Sequence, residues 1–185
     1  MRKLLLTAGA AALLAAPALA TGLQLEIAGE GANGTVQIDL LEDVAPQHVE
    51  RITTLASEGA YDGVAFHRVI DGFMAQTGDV EFGVAGADPA RAGTGGSDLP
   101  DLPAEFSDRP FERGTVGMAR SQAPDSANSQ FFIMFDEGSF LNGEYTVVGQ
   151  VTDGMDVVDA IKRGEGPNGA MTSEPDRIVS ATVTE

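Results

Sequence analysis

The chain has no cysteine and no tryptophan, and only two histidines and two tyrosines among its 185 residues. Without cysteine there is no disulfide and no thiol for lipid attachment, so cysteine usage neither requires nor excludes an oxidising compartment. Cations are scarce as well: 11 Lys and Arg stand against 28 Asp and Glu, for a net charge of −17. Such a balance disfavours nucleic acid and anionic membrane surfaces as partners. What is abundant is turn chemistry. The 23 Gly and 9 Pro point to many short connections, as in a β-rich protein, and the nine Phe supply most of the aromatic material for a core. At this length one domain is expected once any leader is removed.

The first twenty residues read as that leader. Arg2 and Lys3 form a positive start, and the apolar run from Leu4 to about Ala16 is short for a membrane span. Ala18-Leu19-Ala20 has the small-x-small pattern of a cleavage site. Residues 1–20 are therefore expected to be a secretory signal peptide and residues 21–185 the mature domain, starting at Thr21. Export is the expected localisation, to a periplasm or to full secretion. After cleavage no stable membrane association is expected. A small domain without an obvious apolar helix face suggests a monomer.

Alternation marks two early strands, with Leu23, Leu25 and Ile27 in one and Val36, Ile38 and Leu40 in the next. Asn33-Gly34 between them predicts a tight hairpin turn. The period then lengthens: Val49, Ile52, Leu55 and Ala56 share one helical face, Pro46 suits a first turn and Gly59 a stop, giving a helix over 45–58. His48 on that helix reads as a surface residue. A second helix is predicted over 154–163, with Lys162 and Arg163 near its C-terminal dipole and Gly164 closing it. Further strands are predicted near 64–70, 73–77, 115–118, 130–135, 145–151 and 177–184, with long loops over 80–114 and 164–175. Eight short strands and two helices fit a mainly β fold: a closed eight-stranded antiparallel barrel capped by two α-helices.

The most informative run is Phe66-His67-Arg68-Val69-Ile70 through Phe73-Met74-Ala75-Gln76-Thr77-Gly78-Asp79. If it folds as two successive strands, Arg68 and Gln76 share a face among aromatic neighbours. An arginine in that setting is a donor suited to a neutral acceptor such as an amide. A second run, Gly117-Met118-Ala119-Arg120 through Ser129-Gln130-Phe131-Phe132-Ile133, adds apolar surface and another amide. Alternation puts Phe131 and Phe132 on opposite faces, so only one of them can line a pocket.

These two runs resemble the FHRVI-x-x-FM-x-Q-x-GD and G-x-x-x-MA…SQFFI blocks of the cyclophilins, the peptidyl-prolyl cis-trans isomerases. The likeness extends to Ala45-Pro46, Gly59-Ala60-Tyr61-Asp62-Gly63, Gly93-Thr94-Gly95-Gly96, Leu141-Asn142-Gly143 and Val147-Val148-Gly149, and covers about residues 23–184. The resemblance implies an eight-stranded barrel and an isomerase of Xaa-Pro bonds that needs no cofactor and acts on proline-containing unfolded or partly folded polypeptides. It implies Arg68 as the catalytic donor. It implies Phe73, Met74, Phe132 and Leu141 as the proline socket, with Phe140 and Tyr145 on its wall. Gln76 would hold the substrate carbonyl and orient Arg68. Gln130 and the backbone at Ala119 and Arg120 would bind the residues before proline, with His67 beside the pocket. Three positions depart from the family. Phe140 stands where many members have tryptophan, which removes an indole donor and puts cyclosporin binding in question. Tyr145 stands where histidine is frequent. Arg120 stands where asparagine is common. Phe140 and Tyr145 look more like bacterial members.

Other readings of the same residues are weaker. Arg68 taken alone could be a strand arginine paired with Asp71 or Asp79. Gly93–Gly96 lacks the following Lys-Ser/Thr of a phosphate loop. Asp98, Asp101, Glu105 and Asp108 match no calcium-loop spacing. A proline-binding module without turnover remains an alternative to an enzyme, whereas no acidic pair falls in either run to support a hydrolase.

Overall fold

A computed structural model describes residues 21–185; the expected signal peptide, residues 1–20, lies outside the described residues. Eight strands form one antiparallel sheet: β1 (Gly22–Ala28), β2 (Gly34–Leu40), β3 (Arg68–Ile70), β4 (Met74–Thr77), β5 (Thr115–Met118), β6 (Phe131–Met134), β7 (Val147–Asp153) and β8 (Arg177–Thr184). Their spatial order is β3-β4-β6-β5-β7-β2-β1-β8. Two helices accompany them, α1 (Pro46–Ser57) and α2 (Met155–Ala160).

The expected closed barrel is corrected to an open, strongly curled half-barrel, with β3 and β8 as its edges. The reason lies in loop 164–175. It takes the backbone groups that closure would use: Gly164 N–H donates to Val69 C=O, and Met171 N–H to His67 C=O. Between the edges the bridge Ala65–Arg177 and a few backbone bonds, Phe66 N–H to Asp176 C=O, Ile178 N–H to Val64 C=O and Gly63 N–H to Ile178 C=O, stitch the seam.

Period-2 alternation divides the apolar residues into two clusters. Ala75, Phe131 and Ile133 join Leu25, Ile38, Ile52 and Leu55 in the main core between the sheet and α1. Their strand neighbours Met74, Phe132 and Met134 point the other way, into a smaller cluster with Phe111, Leu141 and Val147. That smaller cluster underlies the candidate site.

Three local expectations change for long-range reasons. Asn33-Gly34 is not a two-residue hairpin. A five-residue loop, 29–33, joins β1 to β2 because the buried Asp176 carboxylate accepts the Gly31 and Ala32 amides at 2.9 and 3.1 Å. The same carboxylate accepts Lys162 N–H at 2.8 Å, which draws the chain out of α2, so that helix ends at Ala160 with Lys162 beyond it, while Arg163 Nη1 reaches back to donate to the carbonyls of Asp159 and Ile161 at the helix end. His48 is fully buried rather than on the surface.

His48 is buried because Glu105 reaches the start of α1. Its carboxylate accepts the backbone amides of Gln47 and His48 at 3.2 and 3.1 Å and lies 2.7 Å from His48 Nδ1. The acid thus serves as a cap supplied from a distant loop, satisfying amides a helix start leaves unpaired. Burial pushes the Glu105 carboxyl up, but the donors of His48 and Gln47 outweigh it and hold it below its ordinary value of 4.5. A carboxyl so lowered binds protons more weakly when folded than when unfolded. Its contribution is therefore fully present above the unfolded value and is lost as pH falls through the folded one. Glu105→Gln is expected to cost about 1 kcal/mol at neutral pH, roughly 2–4 °C in Tm for a chain of this size. Thermal melts of both proteins across pH check this: the gap should narrow in acid, and a gap that stays constant into strongly acidic solution would contradict it.

Candidate active site

One row of cross-strand partners builds the site. Arg68 on β3 faces Gln76 on β4, Gln76 faces Phe132 on β6, and Phe132 faces Gly117 on β5. The shared face expected for Arg68 and Gln76 follows from this register. Gly117 is needed in the row: a Cβ there would lie 2.5 Å from the Phe111 ring and 2.6 Å from the Phe132 ring. Its absence lets those two rings stack, with centroids 5.7 Å apart.

Arg68 is held by neutral oxygens. Its Nη1 donates to Gln76 Oε1 at 3.1 Å and its Nε to the Asn168 carbonyl at 3.0 Å. Met74 Sδ sits 3.9 Å from Nη1. Among the described residues no acid pairs with it: Asp71 pairs with Arg163 at 2.9 Å, and Asp79 is engaged by loop amides. Among the described residues Nη2 makes no hydrogen bond to protein. Burial draws the guanidinium below its ordinary value, with the nearby Tyr145 phenol acting the other way. It nonetheless stays charged at any working pH.

Beside Arg68 lies a pocket of about 250 Å³. Phe73, Met74, Phe132 and Leu141 form its apolar part, and Gln76 and Ala119 border it. Phe140, Arg120 and Tyr145 close the far side. Phe140 is 70% exposed and leans on Phe73, with centroids 5.4 Å apart, so it forms a rim rather than a floor. Arg120 is pinned. Its Nε and Nη2 donate to the Glu144 carbonyl at 3.1 and 2.8 Å, and its guanidinium stacks 4.4 Å above the Tyr145 ring. Tyr145 in turn packs edge-on against Phe132 at 5.9 Å. The cation that departs from the family pattern thus braces the tyrosine that also departs from it.

A second cavity of about 450 Å³ continues past Gln76, Ala119 and Arg120. Gln130 lies on its wall with the Gly93–Gly96 loop, and Asn128, Ser121 and Ser126 add polar groups. Gln76 Nε2 donates to Gln130 Oε1 at 2.9 Å, joining the two cavities through one amide pair.

Eleven of the twelve residues singled out from sequence therefore line these two contiguous cavities. His67 does not. It lines the neighbouring cavity with Ala65, Phe82 and Arg177, and burial pushes its pKa down against the opposing pull of Asp79. Sequence reasoning missed Phe111, which backs Phe132, and Asn168, whose carbonyl holds Arg68. Neither sits in a periodic segment. Among the described residues no group of three or more His, Cys, Asp and Glu gathers to hold a metal.

Fold and site together define a mainly β protein of the curled-sheet, two-helix type, with a guanidinium on the wall of an apolar pocket. Residues 23–183 match the family model described as cyclophilin type peptidyl-prolyl cis-trans isomerase/CLD. A probable peptidyl-prolyl cis-trans isomerase of Brucella suis biovar 1 is 66% identical over 154 residues, covering 82% of this chain and 78% of that one. A peptidyl-prolyl cis-trans isomerase of Helicobacter pylori is 39% identical over 136 residues, covering 71% of this chain and 77% of its own. Among solved structures, cyclophilin AquaCyp293 from Hirschia baltica superposes with a TM-score of 0.70 at 28% identity, covering 87% of this chain and 73% of that one. A Cryptosporidium parvum cyclophilin determined in the presence of the dipeptide Ala-Pro gives a TM-score of 0.72 at 23% identity, a likeness of fold, over 89% of this chain and 99% of that one. The chain belongs to the cyclophilin-type peptidyl-prolyl cis-trans isomerases and is an isomerase enzyme.

Proposed function

We propose that this isomerase accelerates rotation about Xaa-Pro bonds in exported proteins, assisting their folding, and that Arg68 is the catalytic donor. The observation that carries the reading is the Arg68 guanidinium, bonded to an amide and not to an acid, on the wall of an apolar pocket.

The barrier in an Xaa-Pro bond is amide resonance, which makes rotation take tens to hundreds of seconds. No bond to another atom forms or breaks, so the reaction calls for no nucleophile, proton shuttle or cofactor. It requires tighter binding of the twisted amide than of either planar isomer. In the twisted state the prolyl nitrogen becomes pyramidal and regains a lone pair. Arg68 donates to that lone pair, a contact with no counterpart in the planar states. Phe73, Met74, Phe132 and Leu141 receive the proline ring, with Phe140 and Tyr145 at the wall. Gln76 orients Arg68 and presents its amide to the substrate carbonyl. Gln130 and the backbone at Ala119–Arg120 receive the residues before proline in extended form. The Cryptosporidium parvum relative studied with Ala-Pro supports a proline-containing peptide as the substrate.

Export rests on the leader-like residues 1–20, and the periplasm is the proposed destination. Two measurements test the reading. Purified mature protein should speed cis-trans exchange of a short Xaa-Pro peptide in a protease-free assay and the proline-limited refolding of a model protein. In the producing cells the protein should fractionate outside the cytoplasm with Thr21 at its N-terminus. An intact residue 1 in the cytoplasmic fraction would overturn the export reading, and absence of catalysis the enzymatic one.

A further inference from the structure

Asp79 lies just beyond β4, fully buried, and takes no part in the chemistry described above. Its two oxygens face four backbone amides. Oδ1 accepts from Glu81 and Phe82 at 3.1 and 2.8 Å, and Oδ2 accepts from Gly93 and Gly95 at 2.7 and 3.1 Å. A buried charge so satisfied is a fixed point, because any departure leaves it unpaired in a poorly polarisable surrounding. The glycines can approach only because they lack side chains: a Cβ on Gly95 would lie 2.5 Å from Asp79 Oδ1, and one on Gly93 would lie 2.9 Å from the His67 ring.

With its amides committed to Asp79, this loop turns two carbonyls toward the site. Those of Gly93 and Gly95 both accept from Gln130 Nε2, at 3.1 and 2.8 Å. That fixes which way the Gln130 amide faces, since the flipped amide would set its oxygen against two oxygens. Gln130 Oε1 then points at Gln76 and accepts its Nε2 at 2.9 Å. The Gln76 amide is oriented by the same logic, and its Oε1 is left to accept Arg68 Nη1 at 3.1 Å. Each link polarises the next in the same sense.

We propose that Asp79 is a positioning residue for Arg68, acting through the Gly93–Gly95 carbonyls and the amides of Gln130 and Gln76. This rests on the reading of Arg68 as catalytic donor. Without the buried carboxylate the loop carbonyls no longer dictate the Gln130 amide, Gln76 is free to turn its nitrogen toward Arg68, and the guanidinium loses the contact that aims it.

The test is a double-mutant cycle on the mature protein, with kcat and KM from the protease-free peptide assay and Tm for each variant. Asp79→Asn keeps one carbonyl acceptor and replaces the other with a donor. It is expected to fold with a lowered Tm and to lose about tenfold in kcat/KM, mostly in kcat, the scale that follows a small misplacement of a catalytic group. In a Gln130→Ala background the same change should cost less than about twofold in kcat/KM, while its effect on Tm persists. A purely structural aspartate would lower Tm equally in both backgrounds without this split. Full kcat/KM in folded Asp79→Asn, or a tenfold loss in both backgrounds, overturns the proposal. If Asp79→Asn does not fold, Gly95→Ala, which pushes the loop off the carboxylate, runs through the same cycle and decides. Arg68→Ala separates the two layers. If that variant is fully active, the donor reading itself fails; if it is inactive and the cycle shows no coupling, only the role given to Asp79 fails.

Discussion

Replacing Arg68 with alanine will lower kcat/KM toward an Xaa-Pro peptide by about 100- to 1000-fold, the loss seen when a donor to a transition-state lone pair or oxyanion is removed. The fold will survive. Arg68 lies on a three-residue edge strand, is only part-buried, and makes its side-chain bonds to Gln76 and to the carbonyl of Asn168. Losing them frees two acceptors at the protein surface, where water can replace the guanidinium. The deficit will fall on kcat because the missing contact forms only as the amide twists. Lysine at this position will restore little. It supplies a point charge without the planar fork that engages Gln76 and Asn168 while leaving Nη2 to donate. Steady-state kinetics on the wild type and both variants, with circular dichroism to confirm folding, check this. An alanine variant within a few fold of wild type would refute the role.

Phe132→Ala will damage both stability and binding. The ring is 5% exposed, stacked on Phe111 and met edge-on by Tyr145. Truncating a buried phenylalanine costs about 3–5 kcal/mol, on the order of 10 °C in Tm at this size. The same ring is the apolar wall for the proline. A proline left without it forgoes about 1.5–3 kcal/mol of burial, which raises KM roughly ten- to a hundredfold. Phe131→Ala is the comparison. That ring is buried on the opposite face against Tyr61, at 5.5 Å. Its loss will lower Tm comparably while leaving kcat/KM of the folded molecules nearly unaltered. Two adjacent residues of one type thus separate packing from recognition. Equal effects of both changes on KM would show that the pocket is not where the cluster places it.

The parts of this molecule that were legible in sequence are those governed by neighbours along the chain. The 3.6-residue period and Pro46 set α1 within a residue of its observed ends. Alternation separated Phe131 from Phe132, and the short spacing from Arg68 to Gln76 across a tight turn put both on one face. What could not be read depends on partners far away in sequence. The turn at Asn33-Gly34 gives way to a longer loop because Asp176, 145 positions from Gly31, claims its amides. His48 goes inside because Glu105 meets it from a loop 57 residues on. Closure of the sheet fails because the 164–175 loop, whose one short 3-10 turn (Pro167–Gly169) carries no periodic sequence signal, occupies the free edge of β3. In the site the residue types were evident, but the support was not. Asn168, whose backbone sits at φ 56, lends only a carbonyl to Arg68, and a main-chain acceptor carries no side-chain signature. His67 followed the motif into the candidate set; it lines the neighbouring cavity, with its ring packed behind Gly93.

The most direct measurement is the rate of exchange between cis and trans forms of a peptide while bound, read by NMR with saturating wild-type or Arg68→Ala protein. Wild type should interconvert the bound isomers far faster than free peptide does. The variant should bind both isomers with affinity within a few fold of wild type yet exchange them about a hundredfold more slowly, because binding of planar amides does not use the donor. Bound isomers that exchange at the wild-type rate without that guanidinium would contradict the account at its centre.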